Sequence, residues 1–201
     1  SLFCIEDLTF NCIFYRANTL LIEMAQEAGV ELDDSLVDNI ARSKHAINQL
    51  WDDQNQTFYS RDFITHDLIR EPSIAALMPL YSGAISQEKA KMLVDQLTNH
   101  LEFWLNHPIP SVPMSSRFFN PINYWQGPAW INTNWLISEG LIKYGYDEIA
   151  REIQEKSVQL VAEKGTWEYF SPIDGKALGS PNFSWTAALT LDFVDQLSAK
   201  Q

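Results

Sequence analysis

Cysteine is scarce: the 201 residues hold two, Cys4 and Cys12. On one helix, a separation of eight residues puts them about 12 Å apart along the axis. A disulfide needs Cα atoms within about 7 Å, so no bridge is expected and a reducing, cytoplasmic setting fits. Basic residues are also few: 14 Lys and Arg face 26 Asp and Glu, for a formal net charge of −12. A nucleic-acid partner would want a basic stripe, and none is expected. No apolar run is long enough to cross a membrane, so no membrane partner is expected either. Cys-His metal spacing is missing, and His45, His66, His100 and His107 form no ligand pattern. They read as surface or loop residues, with no metal and no cofactor expected. There is no phosphate-cradling glycine loop and no Gly-x-Ser-x-Gly elbow. The first residue is Ser1, not Met, and no signal-type segment follows, which suggests a processed or truncated chain.

Apolar and aromatic residues, by contrast, are plentiful: 46% hydrophobic and 12% aromatic. That suffices for one domain, residues 1–201, with a sizeable core. Leu8, Ile13, Ala17, Leu20, Leu21, Met24 and Ala28 recur near helical period and predict a first helix over 6–28, stopped by Gly29. Asp33 or Asp34 caps a second, whose apolar face carries Ile40, Ala41, Ile47, Leu50 and Trp51. Asp52 and Asp53 read as ordinary turn residues. Thr57 to Ser60 reads as a strand with 63–69 as its hairpin partner. A third helix is predicted over 74–82, a fourth from Ser86 toward Leu101, a fifth over 128–144, a sixth from Asp147 as cap to about Glu163, and a seventh over 184–197. The fold class is therefore all-α, with seven helices in antiparallel hairpins and extended pieces only in the connections. The elaborate connections follow helices two, four and six, and in stacked hairpins they fall on one face, where a site would be built.

The long loop over 107–127 holds Pro108, Pro110, Pro113 and Pro121 and delivers the stretch Asn123-Tyr-Trp-Gln-Gly-Pro-Ala-Trp-Ile-Asn-Thr-Asn-Trp135. Gly127 sits at the turn, and Pro128 suits a first helical position. Indole faces stack on the C–H faces of a pyranose and amides bond its hydroxyls, so this stretch suits a carbohydrate. A Trp-rich core segment is the alternative. Trp125 and Trp130 flank the turn and are the better ligand candidates; Trp135 reads as core. Glu168, in Trp167-Glu-Tyr-Phe170, is the strongest candidate carboxylate. If extended, Trp167 and Tyr169 point one way and Glu168 and Phe170 the other. An acid among aromatics can act as a base when ionised, or as an acid when burial raises its pKa; it can also simply accept backbone N–H bonds. Arg61-Asp62 could reach a polar substrate or form a structural ion pair. Asp7 reads as serving a helix start, and Asp174 an Asp-Gly turn.

Asn123 to Trp135, Glu168-Tyr-Phe-Ser-Pro-Ile-Asp-Gly175 and Asn182-Phe-Ser-Trp-Thr-Ala-Ala188 together resemble glycoside hydrolase family 63. The likeness is to its bacterial mannosylglycerate and glucosylglycerate hydrolases and their relatives. Weaker matches at Arg16-Ala-Asn18, Leu50-Trp51, Phe58-Tyr-Ser-Arg-Asp62 and Pro72 to Gly83 extend it over almost the whole chain. The resemblance implies an (α/α)6 toroid and hydrolysis of an α-glycosidic bond with inversion. Two carboxyl groups, roughly 6.5–9.5 Å apart, then act as acid and base on opposite faces of the sugar. It assigns the base to Glu168 and sugar binding to Tyr124, Trp125 and Trp130, with Gln126 and Gly127 in the same turn. Gln126 departs from the Arg many members carry there.

Seven helices make about half of such a toroid, the C-terminal half. The family's general acid matches no residue here, and the carboxylate-binding pocket for the leaving group is expected in the other half. The split would leave apolar helix faces exposed, so the expected partners are the carbohydrate substrate and either the missing half or a copy of the chain. Three other readings compete with this one: a helical scaffold without such a site, a non-catalytic carbohydrate-binding half-toroid using Trp125 and Trp130 without turnover, and a toroidal epimerase or lyase. The last would want His or Tyr bases at the mouth, which the motifs match poorly.

Overall fold

The computed structural model of the chain describes residues 4–199. The chain divides into two compact units: one runs up to Glu71 and takes in Ala75–Leu93, and the other takes in Pro72–Ile74 and the described residues from Val94 on.

In the first unit, helix α1 (Leu8–Ala28) starts where the Asp7 carboxylate accepts the Phe10 N–H at 2.7 Å, and stops at Gly29, φ 65°. Asp7 thus serves the helix start, as predicted. Helix α2 (Asp34–Asn48) is capped by Asp33, which accepts the Ser35 N–H at 2.8 Å. Helix α1 packs on both α2 and α3 (Met78–Ser82). The third helix was expected to be continuous from Ile74, but Ile74–Leu77 is a 3-10 turn. Pro79 gives the reason: it has no N–H to donate and is tolerated only in an α-helix's first turn. Helix α4 (Gln87–Leu97) follows Ser86, whose hydroxyl accepts the Lys89 N–H.

The strand pairing differs from expectation. Trp51 does not extend α2; Trp51–Asp52 (β2) pairs antiparallel with Thr57–Phe58 (β3), Trp51 opposite Phe58. Their rings meet edge-on at 4.9 Å, a cross-strand aromatic contact that helps fix this register. Arg61–Asp62 (β4) pairs with Ile5–Glu6 (β1) instead, and the expected hairpin survives only as a bridge from Arg61 to Leu68. Of the two roles open to Arg61-Asp62, the structural one is seen: Arg61 pairs with Glu6 at 2.5 Å, and the Asp62 carboxylate accepts the Ile64 and Thr65 N–H groups. Asp52 is more than a turn residue. It is buried, pairs with Arg70 at 2.6 Å and accepts the Gln54 N–H.

In the second unit, α5 (Ile131–Lys143), α6 (Asp147–Lys164) and α7 (Ser184–Ala199) pack on one another. Ile131, Leu160, Val161, Phe170 and Phe193 form a buried cluster, with Trp135 and Trp167 packed against it. Trp135, expected as core, is only partly buried against this cluster, its Nε1 donating to Asp192 at 2.6 Å. Buried Gln154 of α6 donates to Ser138 of α5 and Gln196 of α7, so the three helices also share a polar joint. Tyr169–Phe170 (β5) pairs with Ala177–Leu178 (β6). Helix α5 was expected from Pro128 but begins three residues later, because Ala129 is held extended by two backbone hydrogen bonds to Phe170, at 2.8 and 2.9 Å. Helix α6 is capped at Tyr146, which leaves Asp147 in the first turn, where its charge still favours the dipole.

The described residues hold seven α-helices; the extended pieces lie in the connections except β1, which precedes α1, contrary to the expectation that they would be confined to the connections. None of these helices is long and apolar enough to cross a membrane.

Candidate active site

The site is set by two connections of the second unit, the long loop before α5 and the hairpin after α6. Pro110, Ala129 and Phe170 form successive antiparallel bridges. The Ala129–Phe170 bonds seat Trp130 beside Tyr169, so two segments well separated in sequence reach one spot. The loop is pinned from beneath by Asn134, a motif residue that is 1% exposed. Its side chain accepts the Ile109 N–H at 3.0 Å and donates to the Pro108 carbonyl and the Ser157 hydroxyl. Ser111, also buried, accepts the Gly127 N–H at 3.0 Å. A Cβ on Gly127 would overlap the Asn120 carbonyl, so this close approach requires glycine.

Five aromatic rings meet above this joint. Trp125 lies flat on Trp130, centroids 3.9 Å apart and planes within 3°. Tyr169 stacks on Trp130 at 4.6 Å, and Tyr124 meets Trp130 edge-on at 5.2 Å and Tyr169 at 5.6 Å. Trp185, from the start of α7, stands 6.1 Å from Trp130. Exposure separates their roles. Trp130 is wholly buried, its faces taken by Trp125 and Tyr169, while Tyr124 is 51%, Trp125 39% and Trp185 37% exposed. The buried indole Nε1 of Trp130 has no hydrogen-bond partner among the described residues. Tyr124 holds a left-handed backbone, φ 38°; such strain in a non-glycine residue is of order 1–3 kcal/mol and tends to cluster at functional sites. Gln126 is bound into its own loop: its Oε1 accepts from Asn123 at 2.5 Å and its carbonyl accepts the Asn120 N–H. Trp185 was visible in the sequence only as part of a motif; its spacing gave no sign that it joins this cluster.

Glu168 is half-buried at the edge of this group. Its N–H donates to the Ser180 carbonyl at 3.0 Å, and its Oε2 accepts the Ser180 N–H at 3.2 Å. Oε1 has no protein partner among the described residues. Burial, and after it the Glu168 and Tyr124 charges, pushes the Tyr169 phenol above its ordinary value, which keeps it a hydrogen-bond donor. The expected side-to-side alternation fails at Trp167. Trp167 and Phe170 pack on the same cluster, because regular pairing begins only at Tyr169. Asp174 sits as expected in its turn: it accepts the Lys176 N–H, and the Ser171 hydroxyl beside it holds its carboxyl below the usual range. His107, whose backbone N–H donates to the Pro172 carbonyl of that segment, is held below the usual histidine value by burial.

The family model for the mannosylglycerate hydrolase MGH1-like glycoside hydrolase domain matches residues 1–186. Mannosylglycerate hydrolase MGH2 of Selaginella moellendorffii is 35% identical over 193 residues, 96% of this chain and 39% of its own length. A mannosylglycerate hydrolase of Thermus thermophilus is 34% identical over 94% of this chain and 45% of its own. Among solved structures, a family 63 mannosylglycerate hydrolase from another strain of Thermus thermophilus, in complex with glucose, superposes with a TM-score of 0.90 at 31% identity, covering 94% of this chain and 48% of that one. Yeast neutral trehalase Nth1, 18% identical with a TM-score of 0.72, shares the fold. The seven helices are thus about half of an (α/α)6 toroid, and the chain spans less than half the length of these relatives.

Proposed function

Because the chain belongs to the MGH1-like mannosylglycerate hydrolase family of glycoside hydrolases, we propose that it carries the general base and the sugar-stacking aromatics of an inverting α-glycosidase. The reading rests on one observation above all: Glu168 stands at the rim of the aromatic cluster with Oε2 held and Oε1 open. In this reading Oε1 takes a proton from a water molecule. The water oxygen then attacks the anomeric carbon from the face opposite the departing group. A carboxylic acid from outside these 201 residues protonates the leaving oxygen, since inversion needs an acid across the sugar from the base. Trp125 offers its exposed face to the pyranose, backed by Trp130, while Tyr124 and Tyr169 supply hydroxyls at the rim. By the names of its relatives, the substrate class is a glycoside of glycerate.

The partner in this reading is further helical hairpins of the toroid. Phe10, Phe14 and Met24 of α1 are 71%, 49% and 64% exposed. They recur at helical spacing on a helix whose other side is packed, as a face awaiting cover would.

The test is release of sugar from mannosylglycerate and glucosylglycerate by the 201-residue chain and by the longest natural product containing it. The longer product is expected to turn over, with the inverted anomer first in the proton NMR spectrum. Glu168→Gln should lower kcat by about 10²–10⁴-fold. Full activity in Glu168→Gln would refute the base assignment. Robust turnover by the 201 residues alone would refute the outside acid. Sugar binding without turnover by the longer product would leave a carbohydrate-binding toroid.

A further inference from the structure

The geometry points to Gly179 and the Ser180 amide as positioning residues that aim the Glu168 carboxylate, fixing Oε2 so that Oε1 is the oxygen presented to the attacking water. This rests on the general-base reading of Glu168. Three observations carry it. First, residues 168 and 180 are locked to each other twice: the Glu168 N–H donates to the Ser180 carbonyl and the Ser180 N–H donates to Oε2, at 3.0 and 3.2 Å. The same residue that anchors the Glu168 backbone therefore also orients its side chain. A backbone amide has no rotamers to lose, so the hold on the carboxylate is pre-organised.

Second, Gly179 makes room for that pose. A Cβ there would come within 2.5 Å of Glu168 Oε2, 2.7 Å of Glu168 Cβ and 2.7 Å of Tyr169 Cε1. Any side chain at 179 drives the carboxylate away from the Ser180 amide. Third, the backbone at 179 is left-handed, φ 74°. The turn out of β6 thereby delivers the Ser180 N–H to the carboxylate. Carboxylates have two oxygens of equal basicity in water, and an enzyme that fixes one of them gives the other a defined direction. Misplacing a reacting group by about 1 Å can cost about 10²-fold in rate.

Gly145 supplies the control. It too is left-handed, φ 81°, but a Cβ there would meet nothing within 4 Å. Gly145→Ala therefore carries the backbone penalty without the collision. In the turnover assay above, Gly179→Ala is expected to lower kcat about 10- to 100-fold with KM unchanged, and Gly145→Ala to change neither. Ser180→Pro, which removes the N–H, is expected to behave as Gly179→Ala does.

The readout independent of activity is the amide proton–nitrogen correlation spectrum of the 201-residue chain. Glu168→Gln should move the Ser180 amide proton upfield, as a charged acceptor is replaced by a neutral one. Gly179→Ala should produce the same shift and Gly145→Ala should not. An unmoved Ser180 amide in Glu168→Gln overturns the clamp. So does a Gly179→Ala enzyme that behaves as Gly145→Ala does while Glu168→Gln is inactive; in that case the base assignment survives and only the positioning role falls. If Glu168→Gln keeps full turnover, the base reading falls and the clamp falls with it.

Discussion

Two short hairpins, one in each compact unit, set a carboxylate beside aromatic rings and treat it in opposite ways. In the first, Asp52 of β2 lies next to Trp51 and opposite the β3 strand. The hairpin leaves it 5% exposed, paired to the Arg70 Nε at 2.6 Å and bonded by the N–H groups of Gln54 and Asn55. The Trp51 indole N–H is satisfied by Asp53, and Lys89 sits 5.0 Å over the Trp51 ring. In the second, Glu168 has a single amide on one oxygen, and the central indole, Trp130, has a buried N–H with no partner among the described residues. An unmet buried donor costs about 1–3 kcal/mol. The first carboxylate is held by a cation and two amides; the second keeps one oxygen without a protein partner among the described residues, and in the proposed reading that oxygen meets the water.

The largest expected effect breaks the comparison on activity. Glu168→Gln removes the acceptor charge without changing size, and turnover should fall by about 10²–10⁴-fold, or about 3–5 kcal/mol in the barrier. The thermal midpoint should stay near that of wild type. Asp52→Asn should show the reverse pattern, with kcat close to wild type and the midpoint lowered. If the two variants behave alike, the contrast between the hairpins has no functional meaning.

Next in size is Trp130→Ala. The ring is fully buried between Trp125 and Tyr169, and removing a buried Trp costs about 3–5 kcal/mol. Urea unfolding should show that loss, and activity should fall with it as the cluster collapses. A near-neutral Trp130→Ala would mean the stack is not a support.

How much of this was readable beforehand follows from what each residue depends on. The helices were legible because their apolar periodicity and their stops, such as Gly29, are local. Glu168 and the Trp-rich turn stood out because unusual residue types fell close together. The pairing of Trp51 with Phe58 was missed because an apolar Trp just after a helix fits that helix's own face equally well; only the partner strand decides. The start of α5 was misplaced for the same reason. Pro128 has sound local credentials for a helix start, but Ala129 is claimed by Phe170, forty-one residues away. Trp185 was visible only as part of a motif and Gly179 carried no local mark, and their places beside Trp130 and Glu168 exist only once the hairpin and α7 are folded.

A smaller effect separates the hairpins by pH. Asp52 is held below the usual carboxylate range, first by its hydrogen bond from Arg70 and then by the Gln54 and Asn55 amides. A depressed folded-state value contributes stability above the unfolded value of about 3.9, and that contribution is lost as the pH falls through the lower, folded value. Urea midpoints followed from about pH 6 downward should therefore drop in wild type below about pH 4. The drop should be shallower in Asp52→Asn, which has nothing there to protonate. Identical slopes in the two proteins would mean that the Asp52–Arg70 pair does not differ between folded and unfolded chains.

The smallest change in stability, and the sharpest in meaning, belongs to Trp125→Ala. Trp125 and Trp130 are parallel neighbours 3.9 Å apart, yet one is 39% exposed and the other is sealed. Deleting the outer ring forfeits an aromatic contact of about 0.5–1.5 kcal/mol and opens one face of Trp130 to solvent, so the unfolding free energy should drop by roughly that amount. If the outer face is where a pyranose lies, KM should rise several-fold while kcat holds, because a stacking contact made equally in ground and transition states affects binding alone. Were Trp125→Ala to destabilise the protein as much as Trp130→Ala, the outer indole would be core that happens to be partly visible. Were it to leave KM untouched, the sugar would have to rest elsewhere on the cluster, with the exposed Tyr124 and Trp185 rings as the next surfaces to truncate.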